Sequence, residues 1–507
     1  MNSGQKIIVI GSGIGGLVSG LILAKHGYHV RVLEKNHQIG GSLQVFSRDK
    51  KVFDTGVHYV GGLDKGENLY RIFKYLEIYD DLEMKRLDEK AFDIVRLANG
   101  VTASHGIGYG NFANQLKAAF PDNSVDIDKI VEQLQLYCTY FPLYNIELES
   151  EINYVEHTEL LEVGAWEHLA SLTDNEDLIK VILGSGPLYA GLKGVTPFYV
   201  VALILNSFIK GSYRFVNGGS QIAKLLMKKI AENGGEVLRR KEVVGASFDE
   251  SGKIRSLSCS DGSVFECDFV ISNLHPKETI KLLGRHHFKA AYANRVNALP
   301  NTIASFMIYL SLHENTVPYF NSNYYDYYTD NIWEEEFRFS DAWPQMTFTS
   351  AQVSKNTKEY AESISVMCYL DFNEFRAWET SVRTVVKEGT REEAYEAFKK
   401  MCEERILNRI EERFPGIRSK IRSSYSSTPI TYRDYVSTPD GSMYGIQKDF
   451  KHTHKTQINT KTHIPNLFLT GQNIIFHGIL GATIGALVTS FNFVNNKQII
   501  EKIKMYD

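Results

Sequence analysis

At 507 residues the chain exceeds what one ordinary hydrophobic core organises, so two domains are expected. Its 43% hydrophobic and 23% charged residues are those of a globular protein, and a formal net charge of −4 offers no basic surface for a nucleic-acid partner. Five scattered cysteines (Cys138, Cys259, Cys267, Cys368 and Cys402) form no CxxC pair, which argues against a zinc site or disulfide scaffold and for reduced thiols in a cytoplasm.

The chain opens on MNSGQKIIVIGSGIGG, where glycines break the apolar run too early for a signal peptide, so the segment reads as folded protein. Lys6–Ile10 predicts a β-strand, Gly11-Ser12-Gly13-Ile14-Gly15-Gly16 a turn, and the following residues a helix with Leu17, Leu21 and Ala24 on one face and Gly27 as its C-cap. His29–Leu33 predicts a second strand, closed by Glu34. Strand, glycine turn, helix, strand and acid open a doubly wound nucleotide-binding fold. In such a turn Gly11 permits the bend, Gly13 lets a pyrophosphate approach the backbone, and Gly16 lets helix and strand pack closely. Glu34 is placed to accept hydrogen bonds from ribose hydroxyls, which suits NAD or FAD and disfavours NADP. A glycine turn with no ligand would leave Glu34 unexplained.

Between Asn68 and Tyr213 amphipathic helices are expected, including Asp126–Tyr137 and Val155–Ser171, followed by the apolar run Pro197–Leu205, which reads either as core or as the wall of an apolar tunnel. From Val216 to Pro276, Gly218-Gly219 opens a helix over Ser220–Glu232. Gly234-Gly235 then leads into a strand reaching Val244, a hairpin turns at Asp249–Lys253, and a strand covers Asp268–Ser272. A second excursion, from about 290 to 425, holds a Tyr-rich loop (Tyr324–Tyr328) and a charged helix over Arg391–Arg413. Thr390 and Glu393 suggest a capping box for that helix, and Pro415-Gly416 stops it. With no repeat and no low-complexity linker, two interwoven domains are expected: 1–70, 214–288 and 425–507 for the nucleotide, and 71–213 with 289–424 for the substrate.

Near the C-terminus, TGQNIIFHGILGATIG reads as a membrane anchor, a buried helix, or half of an active site. No window reaches the roughly 18 to 20 apolar residues of a spanning helix, and Gln472, Asn473 and His477 do not suit an anchor. Ile484–Phe493 is expected to pack under the nucleotide domain.

Further motifs carry a family resemblance. Lys35-Asn36-His37-Gln38-Ile39-Gly40-Gly41 resembles the loop after the ribose acid in flavoproteins of the glutathione-reductase and amine-oxidase class, where it lies beside the FAD pyrophosphate. No second GxGxxG indicates a separate NAD(P)H domain. Phe53-Asp54-Thr55-Gly56-Val57-His58-Tyr59-Val60-Gly61 resembles the FDTGxHYxG signature of the phytoene desaturase, carotenoid isomerase and retinol saturase group. Val216–Ser220, Thr438–Gly445 and Phe468–Gly481 resemble that group's later blocks, the last two those of its retinol saturase branch. The motif order spans essentially the whole chain, whereas residues 70–210 and 290–425 match no motif residue by residue.

The resemblance implies an α/β fold: a Rossmann-like FAD-binding domain of the glutathione-reductase/amine-oxidase type, interleaved with an α+β substrate domain. It implies FAD held by Gly11, Gly13, Gly15 and Gly16, by Glu34 and Lys35, by Gly40, Gly41 and Ser42, and by Val243. Gly471, Gln472, Gly478, Gly481, Ala482 and Thr483 would close the site, the last two presenting amides to the flavin. Ser42 stands where many relatives carry an arginine. The implied chemistry is saturation, desaturation or isomerisation of carbon–carbon double bonds in a hydrophobic isoprenoid or polyene. The electron donor or acceptor would be NAD(P)H, a quinone or oxygen, with peripheral membrane contact left open. Two alternatives share the fold: an amine-oxidase or protoporphyrinogen-oxidase-like flavoenzyme, and a prenyl-lipid binding module of the GDP-dissociation-inhibitor type. His58 and His477 are candidates for acid–base work or for hydrogen-bonded struts. Asp54 reads as a loop-fixing acceptor of backbone amides. His452 with His454, and His286 with His287, read as solvated loops rather than metal ligands.

Overall fold

The computed structural model describes residues 4–146, 158–333, 337–357, 359–385, 387 and 389–506. The β-branched run after the N-terminus forms β1 (Lys6–Ile10), and Gly13 caps α1 (Ile14–Lys25). His26 is the C-cap of α1 and Gly27 follows it at φ +83°, the left-handed residue that ends a helix. Next come β2 (His29–Leu33), α2 (Ser220–Glu232), β3 (Glu236–Leu238), β4 (Phe269–Ser272), β5 (Leu467–Leu469) and α3 (Gly478–Ser490). The five strands make one parallel sheet in the order β5-β4-β1-β2-β3, with Ile8 beside Val270 on one side and Arg31 on the other. Parallel strands need covering on both faces, and their apolar sequences supply it: Ile7 and Val9 pack into the main core with Leu17 and Leu21 of α1, whereas Ile8 and Ile10 face a second core with Val270 and Leu469.

A seven-stranded mixed sheet carries Ile421–Ser427, Ser305–Leu312, Ser363–Tyr369, Met346–Ala351, Asn323–Tyr327, Asp93–Arg96 and Thr102–His105, in that order. The expected Tyr-rich loop is therefore a strand, Asn323–Tyr327, hydrogen-bonded to Met346–Ala351 and in parallel to Asp93–Arg96. Ile421–Ser427 crosses the boundary expected between 424 and 425, because its partner is Ser305–Leu312.

The charged helix runs Glu393–Arg413 and buries Cys402, Ile406 and Ile410 against this sheet. Its N-cap is Glu392 with no side-chain capping bond, so the Thr390–Glu393 capping box does not form; Phe414 is its C-cap, and Gly416 follows left-handed at φ +76°. The strand expected up to Val244 is split into β3 and Val243–Phe248, the latter pairing with Ile254–Cys259 as a hairpin. Of the two helices expected in the first excursion, one spans Ser124–Thr139. The other is a 3-10 turn, Thr158–Glu162, followed by Ala165–Ala170; residues 155–157 of that expectation lie outside the described residues. The apolar run forms the helix Phe198–Ile209, buried along nearly its whole length. No helix among the described residues is long and apolar enough to cross a membrane.

Candidate active site

Three glycine stretches converge at the carboxyl ends of β1, β2 and β5. Gly13 forms a parallel bridge with Gly40, and a Cβ on Gly41 would lie 3.2 Å from Gly13 Cα. A Cβ on Gly15 would lie 2.5 Å from Gly471 Cα, so the first and last motifs touch through glycine backbone. Asn273, directly after β4, wedges its amide between them: a Cβ on Gly471 would meet its Oδ1 at 2.4 Å, and one on Gly13 its Nδ2 at 2.7 Å. Gly16 has a different role, since a Cβ there would strike Gly11 O at 2.2 Å, and it sets the contact of α1 with the turn.

Over this cradle lies a cavity of about 510 Å³. Gly11, Gly13, Gly15, Glu34, Lys35, Gly40, Gly41, Ser42, Val243, Gly471, Gln472, Gly478 and Ala482 all line it. Gly481 and Thr483 stand behind the wall: a Cβ on Gly481 would meet Phe476 O at 2.2 Å, and Thr483 is fully buried. The N-terminus of α1 opens on the cavity with no acid in its first turn and no side-chain cap, which leaves its amides and positive dipole end to an anion.

Glu34 is buried beside this turn. Its Oε2 accepts from Ser12 N (3.0 Å) and Ser12 Oγ (2.5 Å), and its Oε1 accepts from Asn36 N (2.9 Å). Ser12 Oγ also accepts from Gly40 N at 3.0 Å. Ser12 thus ties the glycine turn, the acid and the second glycine pair together. A carboxylate carries about four acceptor sites and three are taken, so Glu34 retains capacity for one ribose hydroxyl. The Lys35 ammonium is held by Asp434 O and Ser437 Oγ. With Ser42 bearing no charge, lining cations come from Lys35, Lys241 and Lys281. Asp54 is buried and accepts from Gly219 N at 2.8 Å, which fastens the FDTG segment to the Gly218-Gly219 turn. Burial pushes its carboxyl up to about 7, against the pull of that N–H.

A second cavity of about 120 Å³ adjoins the first and shares Gly56, Val57, Tyr432, Met443, Tyr444, Gly478 and Ile479 with it. Its remaining walls are mostly apolar, with Leu203, Ile204 and Phe208 from the Phe198–Ile209 helix and Phe348 and Met367, interrupted by His58, Tyr59, Ser207 and His477. The apolar run is thus core along most of its surface and cavity wall along one stripe. His58 and His477 both line this cavity. Burial lowers His58 to about 4, helped by the Arg214 charge, and lowers His477 to about 3, helped by Lys448. Both rings are therefore neutral at physiological pH, and neither carries the ready proton their ordinary titration range suggests. His58 Nδ1 and His477 Nε2 have no hydrogen-bond partner, and Tyr444 lies against the His477 ring at 4.7 Å.

His452 is an exposed partner of Asp449, and His287 stacks on Phe248 with His286 tilted against it. Among the described residues no group of three or more His, Cys, Asp or Glu side chains could hold a metal. Sequence reasoning missed Ser12, Asn273 and Tyr444 as parts of the cavity; their one visible signal was adjacency to a glycine motif or strand end.

The glycine-cradled parallel sheet is a Rossmann-like nucleotide-binding domain interleaved with a mixed sheet, and its cavity adjoins the smaller one. A family model for NAD(P)-binding Rossmann-like domains matches residues 9–76. Among curated proteins, human all-trans-retinol 13,14-reductase is 26% identical over 96% of this chain and 84% of its own length. Chloroplastic prolycopene isomerase of Daucus carota is 22% identical over 86% and 71%. Among solved structures, an oxidoreductase from Methanosarcina mazei superposes with a TM-score of 0.63 at 19% identity, covering 95% of this chain and 99% of that one. A putrescine oxidase triple mutant gives 0.66 at 12% identity, over 98% and 99%. The resemblance to the phytoene desaturase, carotenoid isomerase and retinol saturase group thus extends along nearly the whole chain.

Proposed function

We propose that the chain is an FAD-dependent oxidoreductase acting on carbon–carbon double bonds of a hydrophobic, polyene-like substrate. The observation that carries this reading is the shared wall of the two cavities, Gly56-Val57 and Gly478-Ile479, which joins a dinucleotide cradle to a space lined by Leu203, Phe208, Phe348 and Met367. In this reading Glu34 accepts a ribose hydroxyl, and amides around Gly13, Gly41 and Ser42 meet the pyrophosphate. The segment from Gly471 to Ala482 meets the flavin. The N-terminus of α3, with no acid in its first turn, favours negative charge at the reduced ring by roughly 0.3–1 kcal/mol. FAD supplies two-electron hydride chemistry when bound, and the chain supplies position, dryness and protons. The division into nucleotide and substrate portions is part of the same proposal, as is contact with a membrane surface. Relatives named for retinol and prolycopene support a polyene over an amine, and the apolar second cavity offers no carboxylate to an ammonium substrate.

The test is anaerobic reduction of purified holoprotein with NAD(P)H, quinols or dithionite, followed by retinoids, carotenoids, and putrescine as an amine control. The expected result is a yellow protein whose reduced flavin is reoxidised by a polyene. A protein that takes up no FAD, or one whose flavin is reduced by amines and untouched by polyenes, would overturn it.

A further inference from the structure

Behind the apolar cavity lies a buried polar chain that the reading above does not use. Tyr59, next to His58 in the FDTGVHYVG motif, lines the cavity and packs on Phe208 with ring centroids 4.5 Å apart. Its hydroxyl donates to Asp93 Oδ2 at 2.7 Å and lies 2.7 Å from the Tyr325 hydroxyl. Asp93 Oδ1 accepts from Asn323 Nδ2 at 2.9 Å, and Asn323 Oδ1 accepts from Arg214 at 2.8 Å. Asp93 and Asn323 are fully buried, and Arg214 nearly so. Such a network is costly to keep in an apolar interior, because every buried polar group gives up water; Arg214 offsets that loss with further bonds to Tyr319 Oη, Phe320 O and Ser322 O.

We propose that Tyr59 is the proton-transfer residue of the cavity and that Asp93, bonded behind it, is the proton store on which it draws; this rests on the double-bond chemistry proposed above. Saturating one C=C bond needs two electrons and two hydrogens. With a hydride supplied from a reduced flavin to one carbon, the other carbon takes the proton of the Tyr59 hydroxyl as the π bond breaks and the second C–H bond forms. The phenolate oxygen takes the Asp93 proton, and the carboxylate recovers one from solvent water through the same hydroxyl once product leaves. Desaturation runs the path backwards.

Two facts favour this pair over the neighbouring histidines. His58 and His477 are neutral at physiological pH, so neither starts with a proton to give as an imidazolium; burial holds the Tyr59 hydroxyl well above its ordinary range, so its proton leaves only as the Asp93 proton replaces it. Burial raises Asp93 to about 7, against the lowering pull of Asn323, Tyr59 and Arg214, so its carboxyl exchanges a proton near neutrality. The groups facing Asp93 are Tyr59, Tyr325, Asn323 and Arg214. His105, opposite Asp93 in the sheet register, directs its Nε2 to Val181 O at 3.1 Å.

Tyr59→Phe keeps the ring and its packing, and Asp93→Asn keeps the shape, so cofactor content and melting temperature of each show whether the fold survives. Two readouts follow. First, infrared difference spectra of wild-type holoprotein between mildly acidic and mildly alkaline pH should show two buried carboxyl bands that disappear through neutrality, of which the one from Asp54 persists in Asp93→Asn and the other is absent there. This measurement needs no substrate. Second, reoxidation of the reduced flavin by a polyene should slow by about 10²–10⁴-fold in Tyr59→Phe, while flavin reduction by the external donor stays unchanged. A merely structural role would slow both half-reactions or lower cofactor content. An Asp93 carboxyl band that vanishes in the ordinary carboxylate range, or Tyr59→Phe reoxidation within about threefold of wild type, would overturn the proposal. If no polyene reoxidises the wild-type flavin, the double-bond reading fails on its own, and the infrared band still decides whether Asp93 stores a proton near neutrality.

Discussion

Gly15→Ala places a methyl group where the two ends of the chain meet. The new Cβ would lie 2.5 Å from Gly471 Cα, 2.7 Å from Asn273 Oδ1 and 2.9 Å from Gly471 N. Carbon atoms rest at roughly 3.5–4.0 Å, so the two backbones must separate by about 1 Å. Overpacking costs about 1–3 kcal/mol, and here the upper end applies because the obstacle is main chain rather than a flexible side chain. A loss of about 3 kcal/mol is on the order of a hundredfold in an equilibrium constant, divided between folding and cofactor affinity. Gly110→Ala serves as the control. Gly110 sits in the first turn of the Tyr109–Ala119 helix with nothing within 4 Å of an added Cβ, and alanine there should be neutral or stabilise by up to about 1 kcal/mol. Urea unfolding of both variants without flavin, and titration of each with FAD by fluorescence quenching, separate the two losses. A Gly15→Ala protein with wild-type unfolding midpoint and wild-type FAD affinity would refute the close approach of the two motifs.

Ser12→Ala removes the hydroxyl that joins Glu34 to Gly40, so FAD affinity should fall roughly tenfold, about 1.4 kcal/mol, in the same titration. Asp54→Ala leaves Gly219 N unpaired and should lower stability by about 1–3 kcal/mol in urea, whereas Asp54→Asn, which keeps an acceptor oxygen, should recover most of the loss. Stability should also depend on pH in a definite direction. Asp54 and Asp93, raised from 3.8 to about 7, favour folding at low pH, and that contribution fades as pH rises from about 4 to about 7. His58, His105, His275 and His477, lowered from 6.5 to about 3–4, favour folding at neutral pH and lose that contribution as pH falls below 6.5. Four groups outweigh two, so the unfolding midpoint should climb from pH 4 to about 6.5. A steady fall over that interval would contradict the burial of these imidazoles.

The nucleotide half was legible because its signals are local. β1 and β2 take the bounds their β-branched runs predict, and the helix after Gly218-Gly219 spans Ser220–Glu232 as its apolar spacing requires. Tyr324–Tyr327 misled for the opposite reason. Aspartate within a tyrosine run suggests a loop, yet this segment is a strand because it pairs with Asp93–Arg96, more than two hundred residues earlier. Thr390 and Glu393 have capping-box spacing, but the helix starts at Glu393 itself. Ser12 and Asn273 escaped notice because a single polar residue beside glycine carries no period, and its value lies in what the fold brings opposite. The histidines were visible as candidates, while their protonation depends on burial by Leu203, Phe348 and other residues remote in sequence. Where a motif carries its own geometry, spacing suffices; where an environment is assembled from distant strands, composition near the residue says little.

The contact of Gly15 with Gly471 also bears on how the chain comes to fold during synthesis. β4 has β1 on one side and β5 on the other, and Ser19 Oγ meets Thr470 Oγ1 at 3.0 Å across the same seam. A chain emerging from its N-terminus completes β1, β2, β3 and β4 long before β5 exists. For that interval the outer edge of β4 is an unpaired strand, open to pairing with another nascent chain. The cradle is likewise unfinished until residues 467–482 arrive. Ribosomes stalled in this region would therefore hold a product that lacks both the β4–β5 pairing and a finished nucleotide cavity.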